Sequence, residues 1–318
     1  MVRLPSKVPV KCAVFGGGGF IGSAICDLLL QEGHSVRIFE RPKVRPYRTF
    51  AAHEKVEWME GDMLSEADLK KSLQGMDAVL HLVSTTLPKN SNDDPIYDVE
   101  SNLVGSLRLL EAMVTQKVGK IIFISSGGTV YGPPEYLPVD EKHPTNPTVS
   151  YGVTKLAIEK YLRLYRDLHG IRPVMLRVSN PFGAMQRVES AQGAVTAFIH
   201  KALRNEKIEI WGDGSVTRDY LHVGDVAQAF VNALEYQGDE MIFNVSSGRG
   251  TTLNELVDII GKGVGRKLDK IYLPGRAFDI PSNILCNNLA AKELQWAPEL
   301  SLERGITLTI QELQGNRS

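Results

Sequence analysis

A tyrosine and a lysine, four residues apart, have types and spacing that suit acid–base chemistry. Tyr151 and Lys155 lie in a segment whose pattern predicts a helix from Ser150 to about Leu168. Residues at positions i and i+4 share one helix face, so the phenol and the ammonium would be neighbours. A free phenol titrates at about pH 10, roughly three units too high for a base at neutral pH, and a nearby positive charge favours the phenolate. The same spacing is also typical of an exposed helix face, so the pair needs a site around it.

A glycine-rich turn near the start of the sequence predicts such a site. The apolar run Val10–Phe15 predicts a buried strand, four glycines follow, and an amphipathic segment then predicts a helix. A helix N-terminus exposes unpaired N–H groups and favours an anion. Gly16 would allow the sharp turn, Gly19 would let a pyrophosphate touch the backbone, and Gly22 would let the helix pack close to the strand. The alternative is a glycine-rich turn without a ligand.

Glu40 ends the second predicted strand, roughly 20 residues past the glycines, where a carboxylate accepts hydrogen bonds from the adenosine ribose. It would repel a 2′-phosphate, which favours NAD over NADP. Four basic residues follow and are suited to hold such a phosphate, although we prefer to interpret them as a solvated basic loop. They are Arg41, Lys43, Arg45 and Arg48.

Strands and helices alternate through the first half of the sequence. This alternation is the signature of βαβ units and predicts an α/β fold with a doubly wound parallel sheet. The predicted strands are 10–15, 35–39, 56–63, 77–83, 120–124 and 174–178, and the predicted helices are 21–31, 65–73, 97–113 and 150–168.

Two polar residues lie at the ends of predicted strands, where an open α/β sheet places its ligands. Asp62 is suited to contact an adenine amino group, or to cap the helix predicted from Ser65. His81 ends the fourth strand. Since no carboxylate is placed beside it, we expect a hydrogen-bonded packing residue rather than a base.

The regular alternation ends after Gly183. We therefore expect residues 1–180 to form a dinucleotide-binding domain, to which a segment at about 215–246 returns. Residues 181–318 would form mainly a smaller α/β domain for the substrate. No linker separates the two parts, so they would share a cleft, which is where small-molecule sites form.

The composition excludes several classes of protein. The chain has 318 residues, 43% of them hydrophobic, and a net charge of −1, which argues against nucleic acid or an anionic membrane as the main partner. Three scattered cysteines (Cys12, Cys26 and Cys286) fit a reducing cytoplasm and give no metal-ligand spacing. Neither a signal peptide nor a membrane span is expected, and no metal site.

Taken together, these motifs resemble the extended short-chain dehydrogenases/reductases, which have a Rossmann sheet. Within them the sequence is most similar to the nucleotide-sugar epimerase/dehydratase family and its UDP-glucose 4-epimerases. The resemblance covers nearly the whole chain. It rests on Gly16-Gly17-Gly18-Gly19-Phe20-Ile21-Gly22, Gly61-Asp62-Met63, His81-Leu82-Val83-Ser84, Asn102-Leu103-Val104-Gly105-Ser106, Ser126-Gly127-Gly128-Thr129-Val130-Tyr131-Gly132, Tyr151-Gly152-Val153-Thr154-Lys155, Arg218-Asp219-Tyr220-Leu221-His222-Val223 and Arg276-Ala277-Phe278-Asp279.

The resemblance implies roles for individual residues. Tyr151 would be the catalytic base and acid, and Lys155 would favour its phenolate and bind the nicotinamide ribose. Residues implied at NAD are Gly16, Gly19, Phe20, Ile21, Gly22, Glu40, Asp62, Met63, Leu82, Val83, Ser84, Asn102, Tyr151, Lys155 and Ser179. Residues implied at a UDP-sugar are Thr86, Ser126, Tyr151, Asn180, Arg218, Arg276 and Asp279.

The resemblance also implies a reaction. Tyr151 would take the proton from the hydroxyl at carbon 4 of the sugar while hydride passes to NAD. The 4-keto sugar would then turn over in the pocket, and hydride and proton would return to the other face. NAD should stay bound, because there is no net redox change. A homodimer through helices 97–113 and 151–168 is expected by the same resemblance.

One position departs from the family pattern. Aligned on Val130-Tyr131-Gly132, the family's catalytic Ser/Thr falls on Gly127, which has no hydroxyl. Ser126 is our first candidate to supply it, and Thr129 or a water are the alternatives. The acids that dehydratases and decarboxylating relatives carry at this point are missing from the sequence, which disfavours both reactions.

The sequence leaves alternatives open for the substrate and for the reaction. Asn283 falls where hexose-restricted epimerases carry a bulky tyrosine, which leaves room for an N-acetyl group. The basic run after Glu40 keeps open an NAD(P)-dependent nucleotide-sugar reductase or dehydrogenase. Gly127 keeps open an NAD-binding scaffold without catalysis.

Overall fold

A seven-stranded, fully parallel sheet forms the centre of the larger part of the molecule. The computed structural model describes residues 8–187, 193–275 and 280–315. The strands are β1 Lys11–Phe15, β2 Ser35–Glu40, β3 Val56–Glu60, β4 Ala78–His81, β5 Lys120–Ser126, β6 Arg172–Val178, β7 Asn180–Phe182, β8 Ile208–Trp211, β9 Thr217–His222, β10 Ile242–Val245, β11 Gly250–Thr252, β12 Lys270–Leu273 and β13 Ser282–Asn283. The α-helices are α1 Phe20–Gln31, α2 Glu66–Leu73, α3 Pro95–Asp98, α4 Gly105–Gln116, α5 Ser150–His169, α6 Ala194–Leu203, α7 Val223–Glu235, α8 Leu253–Gly263, α9 Asn288–Glu293 and α10 Leu302–Gly315.

The strand order of the large sheet is β10-β6-β5-β4-β1-β2-β3. The chain runs outward from β1 in one direction through β2 and β3, and then in the other direction from β4. Such a reversal creates a crevice at the carboxyl ends of the two central strands, where doubly wound proteins bind ligands. The predicted α/β fold with a doubly wound parallel sheet is therefore confirmed.

Both faces of the sheet are apolar because helices cover both. Two adjacent residues of β1 show this. Val14 packs with α1 and α7 on one face, and Phe15 packs with α2, α4 and α5 on the other. The sheet is thus buried on both sides, and its carboxyl edge carries the polar residues of the site.

The segment after residue 215 comes back to the large sheet. Strand β10 pairs in parallel with β6, with Ile242 opposite Met175 and Val245 opposite Val178. Helix α7 packs in the same apolar cluster as α1. The boundaries of two separate domains stay a prediction.

The smaller part of the molecule contains two further sheets. In the first, β9 pairs with β7, β11 and β13, and in the second β8 pairs with β12. Helices α6, α8 and α10 enclose a separate apolar cluster with β8. The sequence predicted a smaller α/β part in this region but did not predict how its short strands pair.

The single helix predicted over 97–113 is wrong, because the segment has three parts. The short α3 is followed by a π-helical turn, Val99–Val104, and then by α4. The side-chain nitrogen of Asn102 donates to the Asp98 carbonyl oxygen at 3.1 Å. A regular helix would use that acceptor for the backbone N–H of Asn102, so the side chain accounts for the wider turn. The third and fourth strands are also shorter than predicted and end at Glu60 and His81.

Candidate active site

The glycine turn has the geometry that a pyrophosphate needs. Gly16 has φ +86°, a left-handed conformation suited to glycine. A Cβ on Gly22 would lie 2.7 Å from Gly17 Cα, so only glycine permits this approach of α1 to the turn. Gly19 precedes α1, and no side chain caps this helix end. The first N–H groups of the helix, from Phe20 and Ile21 onward, are therefore suited to an anion.

Glu40 ends β2 beside this turn. Its Oε1 accepts a hydrogen bond from the Gly18 N–H at 2.9 Å, and burial raises the pKa of its carboxyl. Of the basic residues that follow, Arg48 is committed elsewhere: it pairs with Asp27 at 2.5 Å and also with Glu54. The guanidinium therefore folds back onto α1, which favours the structural interpretation of this basic residue over phosphate binding.

The end of β4 meets the glycine turn from the other side. A Cβ on Gly16 would lie 3.2 Å from the Leu82 carbonyl carbon and from the Val83 nitrogen, so these backbones nearly touch. Both predicted cofactor residues thus lie in the crevice. His81 ends the strand, and its Nε2 lies 2.8 Å from Ser106 Oγ. Burial lowers the pKa of His81 to about 3, so it is neutral, and its predicted packing role is confirmed.

The end of β3 carries Asp62 and Met63. Asp62 is exposed and accepts a hydrogen bond from the Leu64 N–H at 2.9 Å. The cap of α2 is Ser65, whose hydroxyl accepts from Asp68, so Asp62 is not the helix cap. Met63 packs against Gly105 at the start of α4. A contact of Asp62 or Met63 with adenine stays a prediction.

Tyr151 and Lys155 lie in the first turns of α5, one above the other. The Lys155 ammonium is 5.6 Å from the centre of the Tyr151 ring and 4.7 Å from that of Phe123. It donates to the Ile124 carbonyl oxygen at 3.0 Å, and its side chain is almost fully buried. The structure thus brings the pair to the carboxyl end of β5, beside the crevice.

Burial dominates the ionisation of both groups. It raises the pKa of Tyr151 to about 12, against a hydrogen bond with Ser84 that lowers it. It lowers the pKa of Lys155 to about 8, although the charges of Asp98 and Glu159 oppose the shift. Desolvation of the phenolate is therefore the dominant effect on Tyr151 in the polypeptide alone, and the prediction that Lys155 together with the nicotinamide cation favours the phenolate stays a prediction.

The segment after β5 explains the departure at Gly127. A Cβ at this position would overlap Leu285 Cδ1, and a serine or threonine would have to displace that fully buried leucine. Ser126 is partly exposed at the end of β5. Thr129 Oγ1 is buried and has no hydrogen-bond partner among the described residues. Both remain candidates for the missing hydroxyl.

Three of the predicted site residues lie in or beside β7 and β9. Asn180 donates its side-chain amide to the Asp219 carbonyl oxygen at 2.9 Å, and Arg218 donates to the Ile280 carbonyl oxygen at 2.7 Å. The hydroxyl of Ser179 is buried without a hydrogen-bond partner in the described part of the chain. Arg276 and Asp279, predicted at the substrate, lie outside the described residues.

Thr86 and Asn102 have side chains that are engaged within the protein. Thr86 is 5% exposed, and its hydroxyl donates to the Asp98 carboxylate. Asn102 accepts from the Thr85 N–H at 2.9 Å and donates to Asp98 at 3.0 Å. The predicted contacts of these side chains with substrate and NAD stay untested, but the structure gives both a role in holding the loop after β4.

Sequence reasoning missed two buried carboxylates. Asp98 is described above, and Asp219 accepts from the backbone N–H groups of Ser247 and Gly248 at 2.8 and 3.1 Å. Burial raises the pKa of Asp219 to about 6. The signal for Asp98 in the sequence is its position one helical turn before Asn102, and the signal for Asp219 is its position next to Arg218.

The described residues lack the features of two other classes of site. No group of three or more histidine, cysteine, aspartate or glutamate side chains there is arranged to hold a metal ion. No helix within those ranges has both the length and the apolar character needed to cross a membrane.

Comparison with known proteins identifies the family of this chain. The model of the NAD dependent epimerase/dehydratase family matches residues 12–246. A UDP-glucose 4-epimerase of Mycolicibacterium smegmatis is 35% identical over 307 residues, which cover 95% of this chain and 98% of that protein.

Solved structures agree with this comparison. The UDP-glucose 4-epimerase of Thermotoga maritima with UDP-glucose is 32% identical and has a TM-score of 0.91, covering 97% of this chain and 100% of its own. The UDP-N-acetylglucosamine 4-epimerase of Methanobrevibacter ruminantium M1, in complex with UDP-N-acetylmuramic acid, has a TM-score of 0.91 at 29% identity, covering 98% and 100%. The chain therefore belongs to the NAD-dependent epimerase/dehydratase family, within the extended short-chain dehydrogenases/reductases.

Proposed function

We propose that the protein interconverts UDP-glucose and UDP-galactose by NAD-dependent epimerisation at carbon 4. The observation that carries the proposal is the position of Tyr151 and Lys155 at the carboxyl edge of the sheet. Lys155 donates to the Ile124 carbonyl oxygen of β5, and Tyr151 hydrogen-bonds to Ser84 in the loop after β4, the strand whose end meets the glycine turn. Relatives that match along nearly the whole chain are named as 4-epimerases of UDP-sugars.

The residues present fit NAD. The uncapped start of α1 and the bare backbone of Gly16 and Gly19 suit the pyrophosphate. Glu40 suits the adenosine ribose hydroxyls, and the unpartnered hydroxyl of Ser179 lies buried after β6 on the expected nicotinamide side. When bound, NAD would accept the hydride that leaves carbon 4 of the sugar, and it would add a positive charge to the site.

The chain's own residues would move the proton. Tyr151 takes the proton from the hydroxyl at carbon 4 and later returns it to the epimer. Burial raises the pKa of Tyr151 to about 12, so the proposal assigns to the positive charge of bound NAD the part of favouring the phenolate. Lys155 lies one helical turn after Tyr151 and donates to the Ile124 carbonyl oxygen. From this position we propose that its ammonium favours the phenolate and binds the nicotinamide ribose.

A hydroxyl near the phenol would complete the site. Ser126 is our proposal, since it is the partly exposed serine at the end of β5 and Gly127 offers none. The buried, unpartnered hydroxyl of Thr129 is the alternative. Asn180 and Arg218 are proposed to contact the nucleotide-sugar, together with Arg276 and Asp279 from the adjoining segment.

We further propose that the pocket accepts N-acetylated sugars. Asn283 is 3% exposed, donates to the Gly127 carbonyl oxygen at 3.4 Å, and is smaller than the tyrosine of hexose-restricted epimerases. The methanogen relative named as a UDP-N-acetylglucosamine 4-epimerase supports this range. Assays with UDP-N-acetylglucosamine test it directly.

We also propose a two-domain, homodimeric protein. Residues 1–180 with the segment at about 215–246 would bind NAD, and the remainder of 181–318 would bind the nucleotide-sugar. Apolar side chains exposed along α5 would form the dimer contact; they are Val153, Tyr161, Leu164 and Leu168.

Incubation of purified protein with UDP-glucose, without added cofactor, tests the proposed activity. We expect UDP-galactose to appear, and NAD to be recovered from the denatured protein. A strict need for added NADPH, with a reduced sugar as product, would instead support the reductase. Binding of NAD with no turnover of any UDP-sugar would support the non-catalytic scaffold.

A further inference from the structure

Asp98 is a fully buried carboxylate to which four side chains from three segments donate hydrogen bonds. Its Oδ1 accepts from the Thr86 hydroxyl and, at 3.0 Å, from the Asn102 amide. Its Oδ2 accepts from the Ser150 and Thr154 hydroxyls, both at 2.7 Å. A carboxylate is an acceptor only, and each oxygen has room for two donors, so Asp98 is matched to this set.

The three segments are those that surround Tyr151. Ser150 and Thr154 flank Tyr151 in the first turn of α5. Thr86 belongs to the loop after β4, and Asn102 holds the same loop through the Thr85 N–H at 2.9 Å. This loop carries Ser84, which hydrogen-bonds to the Tyr151 side chain. Without the shared carboxylate, the helix turn would lose the acceptor of Ser150 and Thr154. The loop would lose the acceptor of Thr86, and Asn102, which holds the loop, would lose one of its own partners.

We propose that Asp98 is a positioning residue that docks the loop after β4 onto the first turn of α5, and so holds Ser84 against the Tyr151 phenol. Asp98 itself does not touch the reacting atoms. The inference rests on the proposed function for its effect on turnover, whereas the docking itself is a property of the fold.

The test compares Asp98→Asn with Asp225→Asn. The amide nitrogen of asparagine is a donor, so one of the two pairs of donors loses its acceptor while the size of the side chain is kept. Asp225 is a similarly buried carboxylate, but it accepts from the backbone N–H groups of Glu299 and Leu300 at 3.0 and 3.3 Å, away from this network. It therefore controls for loss of a buried carboxylate as such.

We expect Asp98→Asn to lower kcat on the order of 10–100-fold while KM and bound NAD change less than about twofold, because misplacement of a catalytic group acts mainly on the chemical step. We also expect faster amide hydrogen exchange in peptides covering residues 82–90 and 149–156. Asp225→Asn should leave kcat and both peptides unchanged. An unchanged kcat in folded Asp98→Asn, or unchanged exchange in both peptides, would overturn the proposal.

A second variant covers the case in which Asp98→Asn does not fold. The double variant Ser150→Ala with Thr154→Val removes only the α5 half of the network and should reproduce the fall in kcat and the faster exchange of 149–156. Normal kcat and exchange in this variant would also refute the proposal. If the wild-type protein shows no epimerase activity, the proposed function fails, and the exchange experiment alone decides the role of Asp98.

Discussion

At the scale of single residues, Tyr151 and Lys155 show how burial and charge compete. The Lys155 ammonium donates to the Ile124 carbonyl oxygen and lies 5.6 Å from the centre of the Tyr151 ring, yet the pKa of Tyr151 is raised to about 12. The spacing of the two residues predicted that they share a helix face. It contained no information on desolvation, which depends on side chains distant in sequence, and the sign of the shift was therefore not predictable.

The role of Tyr151 leads to the first prediction. Tyr151→Phe removes only the phenolic oxygen, so we expect kcat to fall on the order of 10³-fold, while NAD content and the melting temperature are kept. Epimer formation measured by chromatography, with NAD extracted from the same sample, checks this. Activity within a few-fold of the wild type would show that another group carries the proton.

The ionisation of Lys155 leads to a pH prediction. Its pKa is lowered by burial to about 8, so the ammonium is lost above that pH, and we expect kcat to decline with a midpoint at about pH 8. The unfolded chain keeps this proton up to its ordinary pKa of 10.5, so this group makes the free energy of unfolding rise with pH over that window. The decline should therefore occur without a parallel loss of stability from Lys155. A pH–rate profile that stays flat to pH 10 would contradict the assignment.

At the scale of elements, local patterns predicted the regular βαβ units well. The glycine turn between β1 and α1, the strands β2 and β5 and the helix α5 all lie where hydrophobic period and turn residues placed them. The π-helical turn at Val99–Val104 was not predictable, because it depends on the side-chain bond from Asn102 to Asp98. The short strands β11 and β13 were missed because they are defined by pairing with β9, which is distant in sequence.

The glycine turn gives a prediction about the first helix. In Gly22→Ala the new methyl group would overlap the backbone of Gly16 and Gly17, so the helix must move away from the turn. We expect a loss of about 1–3 kcal/mol of stability, together with weaker retention of NAD. Thermal unfolding and the NAD content of purified protein measure both effects.

Gly119→Ala is the matched control for this change. Gly119 precedes β5, and an added Cβ there meets no atom within 4 Å. Stability within about 0.5 kcal/mol of the wild type is expected for it. Equal losses of stability in the two variants would show that the close packing at Gly22 does not cause the loss.

At the scale of the whole molecule, the sheet order determines where the site lies. The reversal between β1 and β4 places the glycine turn beside the end of β4, and Asp98 links the loop after β4 to the first turn of α5. The sequence predicted this edge from the alternation of strands and helices. The arrangement of the smaller part was less predictable, since its pairings such as β8 with β12 join segments about 60 residues apart, where local patterns contain no register.

The exposed apolar face of α5 gives a prediction about assembly. Leu164 is 44% exposed and lies in line with Val153, Tyr161 and Leu168 on this helix. We expect the wild type to be a homodimer and Leu164→Glu to be a monomer, because a buried unpaired charge would oppose the contact. Tyr272→Glu, at a residue of similar exposure on β12, should remain dimeric. Light scattering after size-exclusion chromatography distinguishes these states, and a monomeric wild type would refute the dimer.

The central claim is that hydrogen leaves carbon 4 of the sugar and returns to the same carbon inside this crevice. Epimerisation of UDP-glucose carrying deuterium at carbon 4, in ordinary water and without added cofactor, measures this directly. We predict UDP-galactose that retains the deuterium at carbon 4, as observed by mass spectrometry and proton NMR. Loss of the label to water, or no epimer at all under these conditions, would contradict the account.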